Sequence, residues 1–274
     1  MPDIIKFSDV PDNHWAIGSI IFAAENEYMT GYPDNTFKPN QNLTRAEFAA
    51  ALHRYHINMH KEQISDLVAE VKKSVVVIKA TFTNDAGERR SSIGTGTFIN
   101  ADNQILTNYH CVSNTENGKP VSFEIGVLEK SESLTGEVIK YYEGELLHKD
   151  SWEDIAVVKI KDNNLNYPYM SILKEPLREG HDVISYGHGG GYLYAVGGGL
   201  IAQDMRLVGI WGMGQTDATI NPGNSGGLIS SIHKKAIAGV PSRKATQFDN
   251  ISFYIPIQLI KRTLDNWNVK YEIV

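Results

Sequence analysis

Only one cysteine, Cys111, occurs among the 274 residues, so the chain cannot form an intrachain disulfide. No run of about 18 apolar residues occurs either, and the sequence therefore predicts no membrane-spanning helix. Basic residues are also in the minority, with 26 lysine and arginine residues against 32 aspartate and glutamate residues. The resulting net charge of −6 disfavours binding to nucleic acid. Residues 1–6 lack the apolar core of a signal peptide. We therefore expect either a cytoplasmic protein or a secreted or cell-wall protein whose leader has been removed.

Apolar residues are plentiful by contrast, at 42% of the sequence, which is enough to bury a sizeable core. The length indicates one or two domains. From Ser74 onward, about twelve short β-type runs are separated by turn signals, and this regular spacing predicts a β-sandwich or β-barrels. The residues before Ser74 have a helical pattern instead.

A glycine-rich stretch around Ser225 carries the strongest chemical signal. It reads Asn221-Pro222-Gly223-Asn224-Ser225-Gly226-Gly227 and precedes an apolar run. Glycine on both sides of a hydroxyl permits the unusual φ and ψ angles of a tight loop. Such a loop can direct two backbone N–H groups toward one point beside the serine Oγ, which is the geometry of an oxyanion hole. Taken alone, the stretch is equally compatible with a polar surface hairpin.

A histidine and an aspartate complete a candidate catalytic triad. His110 ends one apolar run, and Asp154 stands immediately before another. The order His, Asp, Ser is one of the known chain orders for such a triad. A serine hydroxyl is a weak nucleophile until a base removes its proton, and the base needs an anion to hold its tautomer. His110 is the candidate general base, Asp154 its orienting anion and Ser225 the nucleophile, while Asp150 and Glu153 compete with Asp154 only by proximity.

The stretches GTGTFI, ILTNYHCV, DIAVVKI and TDATINPGNSGG together resemble trypsin-like serine proteases, most closely those of the bacterial Deg/HtrA type. The resemblance implies a mainly β fold of two six-stranded antiparallel barrels, with the protease domain at 61–274. It also implies that the N–H groups of Gly223 and Ser225 bind the oxyanion. The expected function is a serine endopeptidase that acts through an acyl-enzyme. The alternative is a catalytically silent, protease-fold binding protein attached to the cell surface.

The same resemblance indicates which residues shape the specificity pocket. Thr219 matches the pocket-base position where trypsin itself has aspartate, so the pocket offers no counter-ion to lysine or arginine. Pro241 stands where glutamate-specific relatives carry histidine. Both observations favour a small or medium aliphatic P1 residue, and the nearby Arg243 and Lys244 keep an acidic P1 residue as the alternative.

Residues 1–60 form a second predicted domain, which is small and α-helical. The stretches FSDV, HWA, GYPDNTFKPN and LTRAE resemble one S-layer homology (SLH) repeat, a module that binds cell-wall polysaccharide and usually occurs in three copies. Trp15, Arg45 and Glu47 match positions tied to ligand or packing in that family. Arg45 and Glu47 are equally compatible with a solvated charge pair at a helix start. Thr44 and Glu47 also predict a capping box.

Neither a histidine pattern nor two glycine runs predicts a metal or cofactor site. His53, His56 and His60 share one helix face, but no carboxylate or cysteine completes a metal-binding set. The glycine runs 187–191 and 197–199 lack the strand and helix context of a dinucleotide site and are predicted to be mobile loops near the active site. Residues 59–63 are predicted to be a polar linker before an amphipathic helix.

The expected partners follow from the two resemblances. They are protein or peptide substrates and cell-wall polysaccharide, with no nucleic acid. A homotrimer is expected because SLH repeats in related proteins work as three copies and because Deg-type protease domains are often trimers. Three chains could supply three copies through a closed ring.

Overall fold

A computed structural model describes residues 5–83, 86–113, 121–130, 137–161, 166–189, 192–245 and 250–274, with the backbone alone described at 58–62, 130, 137 and 138. Its α-helices are α1 (Ile17–Glu25), α2 (Arg45–Ser74) and α3 (Ile257–Asn266). Its strands are β1 (Val75–Thr83), β2 (Arg89–Phe98), β3 (Gln104–Thr107), β4 (Ser122–Lys130), β5 (Glu137–Asp150), β6 (Ile155–Ile160), β7 (Asp182–Gly187), β8 (Ala195–Val208), β9 (Trp211–Thr216), β10 (Leu228–Ser231), β11 (Ala236–Lys244) and β12 (Ser252–Pro256). None of the helices within these ranges has the length and hydrophobicity of a membrane-spanning segment.

The chain divides into two compact units, Met1–Asp66 and Leu67–Val274. In the first unit, the Asp9 carboxylate accepts hydrogen bonds from the N–H groups of Phe37 and Lys38 at 2.8 and 2.7 Å. At the start of α2, the Glu47 carboxylate accepts bonds from the N–H and the hydroxyl of Thr44, and the Glu47 N–H donates to the Thr44 hydroxyl. These reciprocal bonds confirm the predicted capping box. The predicted domain boundary between residues 60 and 61 stays a prediction.

The prediction of a linker at 59–63 is wrong. The backbone is helical without a break through this segment, within α2. Lysine, glutamate and glutamine, which occupy residues 61–63, are good helix formers, and no glycine or proline interrupts the pattern. The polar composition of the segment is therefore compatible with an unbroken helix.

The second unit contains two closed antiparallel barrels of six strands each. The first has the order β1-β2-β3-β6-β5-β4, and the second has the order β7-β8-β9-β12-β11-β10. Counted from its own first strand, each barrel therefore has the same strand order. The core of the first barrel is a cluster of thirteen buried residues: Val76, Ile78, Ala80, Phe98, Ile105, Tyr109, Val112, Phe123, Ile125, Val127, Ala156, Val158 and Ile160. The predicted fold class is confirmed, and α3 follows the last strand.

The glycines at 197–199 lie in strand β8, so the prediction of a mobile loop there is wrong. They pair with Ser185, Ile184 and Val183 of β7. A Cβ added to Gly199 would lie 2.4 Å from the backbone nitrogen of Ala218. The segment at 217–219 therefore packs directly on the backbone of β8, and glycine is needed for this close approach. Of the other glycine run, residues 190 and 191 lie outside the described residues.

Candidate active site

His110 and Asp154 lie at adjacent ends of two paired strands of the first barrel. β3 and β6 are antiparallel, with Thr107 opposite Ala156. His110 belongs to a short 3-10 helix, Tyr109–Cys111, that follows β3, and Asp154 directly precedes β6. Because the end of β3 lies beside the start of β6, the strand pairing itself brings the two side chains together.

The His110 ring is hydrogen-bonded to the Asp154 carboxylate. Nδ1 lies 2.8 Å from Oδ2 and 3.0 Å from Oδ1, and the His110 backbone N–H donates to Oδ1 at 3.0 Å. An acceptor at Nδ1 places the ring proton there and leaves Nε2 as an acceptor in the neutral form. The His110 side chain is 38% exposed and that of Asp154 is 16% exposed, so the carboxylate is shielded while the ring remains accessible.

Asp154 is held in place from both barrels. Its φ angle of 57° lies in the left-handed region, which aspartate tolerates better than most residues. Its backbone carbonyl accepts hydrogen bonds from the Tyr109 N–H at 3.1 Å and from Asn108 Nδ2 at 3.0 Å. Its Oδ2 accepts a further bond from the hydroxyl of Ser242, a β11 residue of the second barrel, at 2.9 Å. Sequence reasoning did not identify Ser242.

The two groups shift each other's pKa in opposite directions. Burial lowers the pKa of His110, but the electrostatic and hydrogen-bonding influence of its neighbours Cys111 and Asp154 outweighs burial, so the pKa lies well above its ordinary value of 6.5. Burial raises the pKa of Asp154, but the hydrogen bonds and charge of His110 and the bond from Ser242 outweigh it, and the net pKa is lowered. The aspartate is therefore ionised at neutral pH and stabilises the protonated ring.

The two rival carboxylates have other partners. Asp150 accepts hydrogen bonds from the N–H groups of Trp152 and Glu153, both at 2.9 Å. Glu153 pairs with Arg262. Among the described residues, neither carboxylate bonds to His110, so Asp154 is the group that can orient the ring.

The loop around Ser225 is a series of tight turns that depend on glycine. The Asn224 N–H donates to the Asn221 carbonyl at 2.9 Å, and Gly223 between them has a φ of 102°. This is the pattern of a type II turn with proline at its second position. Gly226 has a φ of 81°, and a Cβ there would lie 2.2 Å from both Thr107 Oγ1 and the Thr95 carbonyl. No residue larger than glycine therefore fits at position 226 without displacing these groups.

Ser225 is half-buried, and its hydroxyl donates to the Ser242 carbonyl at 3.4 Å. Both Ser225 and His110 are described residues, and no hydrogen bond joins them. Catalytic hydrogen bonds are often long without substrate and tighten when it binds. The N–H groups of Gly223 and Ser225 donate to no protein group within the described chain.

The two predicted pocket residues lie close to this loop. The Thr219 carbonyl accepts a hydrogen bond from the Ser185 hydroxyl at 2.7 Å and from Asn224 Nδ2 at 3.4 Å. The Pro241 carbonyl accepts one from the Gly226 N–H at 3.2 Å. Both residues are thus tied to the Ser225 loop through their backbones, and neither carries a charge.

A second candidate site belongs to the first unit. A cavity of about 420 Å³ is lined by residues that include Tyr32, Lys38, Glu47 and Arg54. The Glu47 carboxylate also accepts a bond from the Tyr32 hydroxyl at 3.2 Å, in addition to its capping bonds. Trp15 is 91% exposed and lies outside the cavity lining, as does Arg45.

The histidine pattern on α2 does not assemble a metal site within the described chain. His53 and His56 are exposed, and the side chain of His60 lies outside the described residues. No group of three metal-binding side chains occurs among the residues that the structure describes.

Comparison with known proteins agrees with this architecture. Residues 94–240 match the model of the trypsin-like peptidase domain, and residues 6–49 match the S-layer homology domain. Serine protease HTRA1 of Xenopus tropicalis is 29% identical over 220 residues, which cover 77% of this chain and 43% of that protein. A cellulosome-anchoring protein of Acetivibrio thermocellus is 39% identical over 69 residues, which cover 25% of this chain and 15% of that protein.

A solved structure supports the fold independently. The crystal structure of the serine endoprotease from Yersinia pestis has a TM-score of 0.56 and 24% identity, over 74% of this chain and 65% of that chain. The chain spans less than half the length of the HTRA1 protein and of the cellulosome-anchoring protein. The match to the peptidase domain covers more than half of the chain. The protein therefore belongs to the trypsin-like peptidases and carries an S-layer homology domain before its peptidase domain.

Proposed function

We propose that the protein is a serine endopeptidase in which Ser225, His110 and Asp154 act as a catalytic triad. The observation that carries this proposal is the bond of 2.8 Å between His110 Nδ1 and an Asp154 carboxylate that is fixed from both barrels. The bond leaves His110 Nε2 as the proton acceptor of the neutral ring. Family membership supports the same conclusion.

The residues support the following steps. Ser225 Oγ attacks the peptide carbonyl carbon while His110 Nε2 takes its proton, which gives a tetrahedral oxyanion and an imidazolium ion. The imidazolium gives the proton to the leaving amine as the C–N bond breaks, and an acyl-enzyme remains. Water then attacks the acyl carbonyl carbon while it gives a proton to His110. The imidazolium returns this proton to Ser225 Oγ as the C–Oγ bond breaks, which releases the acid and restores Ser225. Asp154 stays ionised and holds the ring throughout.

The oxyanion would be stabilised by the N–H groups of Gly223 and Ser225. Both groups lack a protein acceptor within the described chain, and both belong to a loop whose turns are closed by hydrogen bonds. Preorganised donors of this kind contribute about 3 to 4 kcal/mol per donor, as judged by removing one. Because the loop is already formed, little reorganisation accompanies the reaction.

For specificity, we propose cleavage after small or medium aliphatic residues. Thr219 and Pro241 bring no charge to the loop that they contact. The positive side chain of Arg243 lies 4.2 Å from the centre of the Trp211 ring. Its charge therefore already interacts with an aromatic partner. A peptide library should therefore show cleavage mainly after valine, alanine, isoleucine or leucine, and dominant cleavage after lysine or arginine would refute the assignment of the pocket.

For the first unit, we propose a domain of residues 1–60 that attaches the protein to the cell envelope by binding wall polysaccharide. The similarity to a cellulosome-anchoring protein supports attachment, and the cavity lined by Tyr32, Lys38, Glu47 and Arg54 offers polar and aromatic groups of the kind that bind sugars. One repeat offers one such site. We therefore propose a homotrimer, since three copies would supply the avidity that one copy lacks.

Light scattering over a concentration series tests the trimer. A mass of three chains is expected, and a mass of one chain up to high micromolar concentration would refute it.

The experiment that tests the enzymatic function is cleavage of casein by the purified protein and by its Ser225→Ala variant. The wild-type protein should cleave, and the variant should lose cleavage while its circular dichroism spectrum is unchanged. Equal cleavage by the two proteins would overturn the assignment of the nucleophile.

A further inference from the structure

Thr95 is a fully buried residue of strand β2 in the first barrel. Its hydroxyl donates to the Gly223 carbonyl at 2.6 Å and accepts a hydrogen bond from the His188 N–H at 3.1 Å. Its backbone N–H donates to the Ser225 carbonyl at 2.8 Å, and its carbonyl accepts a bond from the Thr107 hydroxyl at 2.7 Å. One residue of the first barrel thus bonds to both residues that carry the proposed oxyanion donors.

These contacts join the parts of the site that come from different barrels. His110 and Asp154 belong to the first barrel, whereas Ser225 belongs to the second. The distance between base and nucleophile therefore depends on how the loop of the second barrel is fixed against the first. The bonds of Thr95 span this junction beside Ser225.

We propose that the hydroxyl of Thr95 is a positioning group that sets the Gly223–Ser225 segment for oxyanion binding. The inference rests on the proposed endopeptidase function and adds a residue to it. Glycine at 223 has the widest choice of backbone angles of any residue, so its own side chain cannot hold the φ of 102°. The restraint must come from its neighbours.

Two neighbours supply that restraint. The Thr95 hydroxyl bonds to the Gly223 carbonyl, and the His188 carbonyl packs so closely that a Cβ on Gly223 would lie 2.2 Å from it. The same hydroxyl also bonds to the His188 N–H, so it couples the two segments that enclose Gly223. Without the hydroxyl, the half-buried Gly223 carbonyl and the buried His188 N–H would both lose their partner.

The chain offers a matched control at Thr97. It lies two residues further along β2, is 1% exposed, and its hydroxyl has no hydrogen-bond partner within the described part of the chain. Thr95→Val and Thr97→Val therefore make the same chemical change in the same strand. Only the first removes bonds to the Ser225 loop.

The test compares steady-state cleavage of fluorescein-labelled casein by the full chain and its variants. Thr95→Val should lower kcat about 100-fold with KM changed by less than about threefold, because the loss falls on the transition state. Thr95→Ser, which keeps the hydroxyl, should stay within about tenfold of wild type, and Thr97→Val within about twofold. In Thr95→Val, affinity for a peptidyl trifluoromethyl ketone, which forms a tetrahedral adduct, should fall as kcat falls, while affinity for a cleaved product peptide should stay unchanged.

The results for the Thr95 variants test the positioning role of Thr95 separately from the endopeptidase function. Wild-type cleavage that is lost in Ser225→Ala supports the function whatever Thr95 does. Wild-type rates in Thr95→Val, or equal losses in Thr95→Val and Thr97→Val, would overturn the role of Thr95 alone. Where Thr95→Val does not fold, Thr95→Ala removes the same hydroxyl with less volume. Unfolding of both variants beside a fully active Thr95→Ser would assign the hydroxyl to stability and overturn the positioning role.

Discussion

The two barrels share one strand order but contribute different chemistry to the candidate site. The first barrel presents His110 and Asp154 at the ends of paired strands, where the register of β3 on β6 places their side chains. The second barrel presents Ser225 on a loop whose shape depends on Gly223 and Gly226 at positive φ. A regular strand pair can therefore position side chains, whereas the tight turns of the Ser225 loop require glycine.

Removing the charge that the first barrel supplies should have the largest effect. Asp154→Asn should lower kcat by about four orders of magnitude, the value known for the same change in trypsin, because the wrong tautomer of His110 is favoured. Steady-state kinetics on casein measure this. A loss below tenfold would show that another group orients the ring.

The same variant should also change the pH dependence. His110 must be neutral to accept the proton of Ser225, so wild-type kcat/KM should fall as the pH drops through a pKa above 6.5. Asparagine removes a charge that favours the imidazolium form, so the acid limb should move to lower pH. An acid limb at the same pH in both proteins would contradict the assignment of that pKa to His110.

Disturbing the loop of the second barrel should have the next largest effect. Gly226→Ala places a methyl group 2.2 Å from Thr107 Oγ1 and the Thr95 carbonyl, at a φ that alanine rarely adopts. The variant should lose about 2 to 3 kcal/mol of stability and most of its activity.

Gly198→Ala is the control, since a Cβ there meets nothing within 4 Å. Thermal unfolding measures the stability of the two variants, and casein cleavage measures their activity. Equal behaviour of the two variants would show that the loop tolerates rearrangement.

Cutting the hydrogen bond that links the second barrel to Asp154 should have the smallest effect. Ser242→Ala removes the bond of 2.9 Å to Oδ2 but leaves the two contacts of that carboxylate with His110 Nδ1. A hydrogen bond to a charged group contributes about 1.5 to 3 kcal/mol, so kcat/KM should fall by about one to two orders of magnitude. Ser230→Ala, whose hydroxyl bonds within the described residues only to the nearby carbonyls of Ser231 and Ala236, should leave the rate unchanged. Equal rates for the two variants would refute the role of Ser242.

The sequence predicted the barrels because short β runs and turn signals recur along it, and it predicted their closure through family resemblance. His110, Asp154 and Ser225 could be named because each stands at the edge of an apolar or glycine-rich run. Their roles, and those of Gly223, Thr219 and Pro241, stay predictions. So do those of Trp15, Arg45 and Glu47 in polysaccharide binding.

Other features could not be predicted because they depend on contacts between distant parts of the chain. Thr95 and Thr97 alternate with glycine on one strand and are both buried, so nothing local indicates which of them bonds to the Ser225 loop. Ser242 acts on a carboxylate 88 residues away. The glycines at 197–199 suggested a loop, but they are explained by the packing of residues 217–219 on β8.

Covalent labelling by a fluorophosphonate probe tests the central claim most directly, because the probe reacts only with a serine activated by its base and oxyanion donors. We predict stoichiometric labelling of the wild-type protein at Ser225, mapped by peptide mass spectrometry, with none in Ser225→Ala and strongly slowed labelling in Asp154→Asn. A folded wild-type protein that stays unlabelled, or one labelled at another residue, would contradict the account and support a protease fold that only binds.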